Sequence, residues 1–228
     1  MLELMPPFAR GLVVSVQAEE GSPLDDPAVL AAMARAAERG GAVALRAQGV
    51  ANIRAIRARC GLPIVGLIKR RVPGSDVYIT PAYEDARAVA QAGADVVALE
   101  ATARARPGGV ALAEIIAAVH RELLRPVMAD CATFEDALAA QAAGADLLAT
   151  TLCGYTGETR GVPLPALDLV ARIAAAVRRP TICEGGIQHP SQVAAALARG
   201  AYACVVGTAI TNVDALTRAF GAAVQGQA

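Results

Sequence analysis

Histidine is nearly absent from this chain: His120 and His189 are the only two, and neither belongs to a metal-ligand spacing. A dedicated zinc site is therefore not expected, and no metal is assigned. Charge of one sign is also missing, with 21 Lys and Arg against 21 Asp and Glu. That balance excludes the long-range basic field of a nucleic-acid binder, so any anionic ligand must be held by local groups. No apolar run reaches the roughly 18 residues of a membrane span, although 55% of the residues are hydrophobic. The five cysteines, Cys60, Cys131, Cys153, Cys183 and Cys204, are odd in number and contain no C-x-x-C pair. Reduced thiols fit them better than a disulfide framework. The opening, MLELMPPFARG, lacks a basic region, an apolar segment and a small-residue cleavage site, and a cytoplasmic protein is predicted.

What the chain does have is a repeated alternation. The stretch Leu62 to Arg70, L-P-I-V-G-L-I-K-R, reads as a buried parallel strand with Lys69 at its C-terminal end. Before it come strands at 12–18, ending in Gln17, and at 42–47, ending near Arg46. Helices are predicted at 27–39, with Asp26 as N-cap and Pro27 at the first position, and near 50–59. After the long loop Arg71 to Pro81, whose length at the mouth leaves a lid open as one role, the pattern continues with a helix at 83–92 and a strand at 95–101 containing Glu100. A helix at 109–124, a strand at 126–131 with Asp130, a Thr133-capped helix to about 143 and a strand at 147–152 follow. A helix over 166–178, a strand at 180–185 with Glu184, a helix at 190–199, a strand at 203–210 and a last helix complete the series. The junction A-G-A-D before the strand at 95 returns at 143–146.

Eight strands alternating with eight helices in 228 residues predict a single α/β domain, a TIM (β/α)8 barrel spanning 1–228. Side chains alternate across a strand, so Gln17, Lys69, Asp130 and Glu184 are expected in one inward layer at the catalytic mouth, with Arg46 and Glu100 beside them. Strands three and seven lie half a circumference apart, which sets Lys69 and Glu184 across the cavity. That suits removal of a proton from carbon on one face and its return on the other. The residues alone equally allow Lys69 as a charge that binds a substrate oxygen or pairs with Asp130, and Glu184 as an ion-pair partner. Gly185 and Gly186 after strand seven, with Gly207 and Thr208 after strand eight, match the places where barrels offer backbone N–H groups to a phosphate. His189 reads as a loop residue, His120 as surface, and Arg104 and Arg106 as loop charges within reach of a ligand.

The segments S-V-Q-A, A-L-R-A-Q-G, I-V-G-L-I-K-R, V-Y-I-T-P, A-L-E-A-T-A-R-A-R-P, M-A-D, A-T-T-L-C-G-Y-T, C-E-G-G-I and V-V-G-T-A-I-T occur in this order from about Gly11 to Phe220. Together they resemble the N-acetylmannosamine-6-phosphate 2-epimerase family. The resemblance implies a TIM barrel, often a homodimer, that interconverts N-acetylmannosamine 6-phosphate and N-acetylglucosamine 6-phosphate by proton transfer at C2 without a cofactor. It implies Lys69 as base and Glu184 as acid, with Gln17, Arg46 and Asp130 holding the sugar. Two departures stand out. Glu100 replaces an aspartate usual in the family, and Asn212 stands where an arginine usually follows A-I-T. An epimerase of another N-acyl amino sugar, a silent sugar-phosphate binder and a Schiff-base aldolase are the competing readings. Isotope exchange, binding without exchange, and borohydride trapping on Lys69 distinguish them.

Overall fold

A computed structural model describes residues 5–224 and 226. Its eight strands are β1 (Gly11–Val16), β2 (Ala44–Gln48), β3 (Ile64–Leu67), β4 (Val96–Glu100), β5 (Val127–Asp130), β6 (Leu147–Ala149), β7 (Thr181–Glu184) and β8 (Ala203–Val206). Each pairs in parallel with the next, and β8 returns to β1, closing the barrel. The helices are α1 (Pro27–Arg39), α2 (Val50–Arg57), α3 (Tyr83–Ala92), α4 (Leu112–Ala118), α5 (Phe134–Ala142), α6 (Leu167–Ala176), α7 (Pro190–Ala198), α8 (Thr208–Thr211) and α9 (Val213–Val224). This is the TIM barrel that the alternation predicts.

Strand alternation divides the core in two. Val13, Ala44, Val65, Leu67, Val96, Ala98, Met128, Leu147, Ala149, Ile182, Ala203 and Val205 fill the barrel interior. Their neighbours Val14, Val16, Leu45, Ile64, Val97, Leu99, Val127 and Leu148 face outward beneath the helices. Small outward residues let the two layers approach: a Cβ on Gly66 would lie 2.5 Å from the Ala94 Cβ.

Capping follows the sequence closely. Asp26 Oδ1 accepts from the amides of Ala28 and Val29 at 2.8 and 3.0 Å, and Pro27 opens α1. Thr133 Oγ1 accepts from Asp136 N while Asp136 Oδ2 accepts from Thr133 N, both at 3.0 Å. The repeated A-G-A-D junction has one physical role in both copies. Asp95 Oδ2 accepts from Ile64 N at 2.9 Å, and Asp146 Oδ2 from Val127 N at 2.8 Å. Each aspartate thus ties the first amide of the preceding strand to the next one, satisfying a donor at the closed end of the barrel.

Four expectations need correction. The strand at 203–210 ends at Val206, because Gly207 turns the chain into the short helix α8. The third strand stops at Leu67, and Lys69 instead bridges antiparallel to Ile79. The helix expected at 109–124 begins at Leu112 and finishes as a π-helical turn over Val119–Leu123. His120, expected at the surface, is largely covered and sits 2.7 Å from Asp146 Oδ2.

Candidate active site

The C-terminal ends of the strands open into a cavity of about 800 Å³. Gln17, Arg46, Lys69, Glu184, Gly185, Gly186, Gly207 and Thr208 all line it, as does Asn212. Arg46, Asp130 and Glu184 share parity with the interior residues of their strands, so the barrel's inward layer turns from apolar to charged as it reaches the mouth.

The charged layer is a connected cluster. Arg46, almost fully buried, donates from Nη1 to Asp130 Oδ1 at 3.0 Å and from Nη2 to Asp130 Oδ2 at 2.7 Å. The same Nη1 lies 3.2 Å from Glu184 Oε2. Thr151, just beyond β6, donates to Asp130 Oδ1 at 2.5 Å. Burial works against the Arg46 charge, but Asp130 and Glu184 outweigh it and hold the guanidinium protonated. Glu184 Oε2 forms no hydrogen bond of good geometry with any described residue. Burial lifts its carboxyl to about 7, with Asp130 adding to the rise and Arg46 and Lys69 opposing it.

Lys69 does not pair with Asp130. Its Nζ donates to Gln17 Oε1 at 2.7 Å, and Gln17 Nε2 donates in turn to Ser15 Oγ at 2.9 Å. Burial first and the Arg46 charge second lower the Lys69 pKa, against the pull of Glu184 and Asp130. One side of the cavity therefore carries an amine inclined to lose its proton, and another a carboxyl inclined to keep one. β3 and β7, which present them, are four strands apart in the closed ring.

Asp130 and Glu100 are not among the residues that line the cavity. Asp130 stands behind Arg46. Glu100, fully buried, accepts from Tyr78 N at 3.0 Å, Thr102 Oγ1 at 2.8 Å and Arg104 Nη1 at 3.4 Å. Arg104 also donates to Asp76 O, and Arg106, buried, to Pro81 O, so both arginines brace the loop after β3. That loop is pinned further by Thr80 N to Ile68 O at 2.7 Å and Arg70 N to Tyr78 O at 3.0 Å. Val77, Ile79 and Thr80 are buried within it. Its residues Tyr78 and Ile79 form part of the cavity wall.

The glycine pair after β7 follows from geometry. Gly185 and Gly186 have φ of 107° and 68°, and a Cβ on Gly186 would fall 2.3 Å from the Leu164 Cβ. Asn212, at the head of α9, accepts from Ala215 N at 2.9 Å and donates to Glu19 Oε1 at 3.0 Å. Sequence reasoning passed over Ser15, Gln48, Asn52, Tyr78, Thr151 and Glu19, all of which line the cavity. For Ser15, Gln48 and Thr151 the signal was present, since each continues the inward parity of its strand by one more step. Among the described residues no group of three or more His, Cys, Asp or Glu side chains is arranged to hold a metal.

With this geometry in view, residues 30–226 match the family described as "Putative N-acetylmannosamine-6-phosphate epimerase". The chain belongs to this family. A Thermosynechococcus vestitus protein named "Putative N-acetylmannosamine-6-phosphate 2-epimerase" is 48% identical over 224 residues, 98% of this chain and 97% of its own. A Cutibacterium acnes protein of the same name is 48% identical over 92% of both chains. The solved N-acetylmannosamine-6-phosphate 2-epimerase from Clostridium perfringens superposes with a TM-score of 0.89 at 38% identity, covering 92% of this chain and 91% of that one. A thiamine phosphate pyrophosphorylase from Pyrococcus furiosus shares the fold alone, with a TM-score of 0.57 at 18% identity over 87% and 86% of the two chains. Family membership and the barrel therefore rest on agreement over nearly the whole chain.

Proposed function

We propose that this protein interconverts N-acetylmannosamine 6-phosphate and N-acetylglucosamine 6-phosphate by removing the C2 proton on one face and returning one on the other. The observation that carries the reading is the opposed pair in one cavity: Lys69, just beyond β3 and inclined toward its neutral form, and Glu184, at the end of β7 and inclined toward its acid form. With C1 as a carbonyl, Lys69 takes the C2 proton, and the electron pair passes into the enolate. Glu184 then protonates C2 from the opposite face, and in the reverse direction the two exchange roles. Neither residue needs a redox or metal partner for this exchange. Gln17 keeps the Lys69 amine aimed, and Arg46 sets the Glu184 carboxyl. Asp130 contributes to sugar binding through Arg46, which it fixes at two points. The amides around Gly185, Gly186, Gly207 and Thr208 receive the phosphate.

The protein acts as a homodimer in this reading. Helix α9 has no buried residue, and Val213, Phe220 and Val224 on it are exposed. A second copy of the chain covers them, removing apolar area that an isolated barrel leaves in water.

One observation favours a second reading, an unphosphorylated N-acyl amino sugar as substrate. Glu19, Glu20 and Asp25 line the mouth, while Arg46 and Lys69 are the only Lys or Arg among the lining residues described. Arg70 does not make up the deficit, since Asp85 engages it at 2.8 Å from both Nε and Nη2. The test is NMR of the purified protein with N-acetylmannosamine 6-phosphate, and separately with N-acetylmannosamine. Conversion of the phosphate alone to its gluco epimer supports the first reading, conversion of the free sugar alone the second. Conversion of neither overturns both.

A further inference from the structure

Tyr78 is one of four tyrosines, and it is placed unlike the others. Tyr83 donates its hydroxyl to Glu122 at 2.7 Å, Tyr202 donates its own to Phe8 O at 2.8 Å, and the Tyr155 side chain is more than half exposed. Tyr78 lines the cavity, packs partly buried against the barrel interior, and engages no described residue through its hydroxyl.

Several contacts converge to hold Tyr78 there. Its amide donates to the buried Glu100 carboxylate at 3.0 Å, and its carbonyl accepts from Arg70 N at 3.0 Å. Two residues on, Thr80 is fully buried with φ of 46°, a left-handed conformation that costs a β-branched residue free energy. The strained peptide is locked to β3 by Thr80 N to Ile68 O at 2.7 Å and by Ile68 N to Thr80 Oγ1 at 3.2 Å. Strain of this kind persists only where surrounding structure over-determines it, and here it aims the segment Tyr78–Ile79 at the cavity.

The proposed reaction leaves one need unmet. As Lys69 removes the C2 proton, negative charge gathers on the C1 oxygen and requires a donor. The charged groups near at hand are committed, with Arg46 Nη1 shared between Asp130 and Glu184 and Arg46 Nη2 on Asp130. We propose that the Tyr78 phenol donates a hydrogen bond to that oxygen, and that Glu100 is the positioning residue that fixes it by holding the Tyr78 peptide. Burial, then the carboxylates Glu100 and Asp130, raise the phenol's pKa, so it stays a neutral donor.

The inference rests on the C2 proton-transfer reading, and its test separates the two. Wild type and Tyr78→Phe are compared in deuterated water for exchange at C2 and for kcat and KM with N-acetylmannosamine 6-phosphate. Loss of one such donor is expected to slow exchange and kcat by about 10²–10³-fold. KM should stay within about threefold, because the bond strengthens as the enolate forms. Exchange at the wild-type rate in Tyr78→Phe, or a loss confined to KM, overturns the Tyr78 role while leaving the Lys69 reading intact. Wild type that exchanges no C2 hydrogen overturns both.

Discussion

Lys69 Nζ donates to Gln17 Oε1 at 2.7 Å, joining the end of β3 to the end of β1 through an uncharged acceptor. A carboxylate at the same place would favour the ammonium, whereas the amide holds the amine without stabilising its charge to that degree. Gln17→Glu is therefore expected to raise the Lys69 pKa. The rise of kcat/KM with pH then moves to higher pH, and each tenfold loss of amine acidity removes about tenfold of the activity at pH 7. A pH–rate profile of the variant checks it, and an unmoved profile sets Gln17 aside as a modulator of the base.

Glu184 predicts a slope in stability. Its folded pKa is about 7 against an ordinary 4.5, so the folded state holds a proton there that the unfolded chain has released. Stability contributed by the protonated carboxyl is fully present below about 4.5 and is lost as pH rises to about 7. Glu184→Gln is expected to flatten that part of the curve. Denaturant melts of both proteins at pH 4.5, 6 and 8 decide it, and equal slopes would mean that Glu184 titrates as an ordinary carboxyl.

Asp130 is the other half of the Arg46 ion pair, and both side chains are almost fully buried. Asp130→Ala leaves the guanidinium in the barrel with Glu184 as its remaining carboxylate. Removing one partner of such a pair costs about 3–5 kcal/mol. Asp130 also pushes the Glu184 carboxyl up, so the fall of the rate profile at alkaline pH, where the acid Glu184 loses its proton, is expected to move to lower pH in the same variant. Urea midpoints and pH–rate profiles give the two readouts, and a change within about 1 kcal/mol would mean that Arg46 finds another partner.

The barrel was readable because strand alternation and the A-G-A-D junctions recur, and each recurrence has a local physical cause such as the Asp95 and Asp146 acceptors. The inward placement of Arg46, Glu184 and Asp130 follows from the same parity. What parity does not contain is depth. Asp130 and Glu100 share the inward face yet stand behind Arg46 and the loop after β3, because each was claimed by donors from another strand or loop. The ends of β3 and β8 were misjudged for a related reason. Lys69 pairs with Ile79 from the far side of the loop after β3, and Thr211 Oγ1 donates to Ser15 O of β1 at 2.8 Å from the other end of the chain, and neither contact follows from the local alternation. Tyr78 went unread because a loop has no period to betray which side chain it delivers.

The central claim is that two residues on opposite faces each carry one of the two proton transfers at C2, and Glu184→Gln in deuterated water tests it most directly. NMR would follow deuterium at C2 of each epimer together with their interconversion. Lys69 alone is expected to keep exchanging C2 of one epimer while conversion to the other falls by about 10²–10⁴-fold. Equal loss of exchange and conversion would contradict the two-residue mechanism and assign Glu184 to another step, such as ring opening.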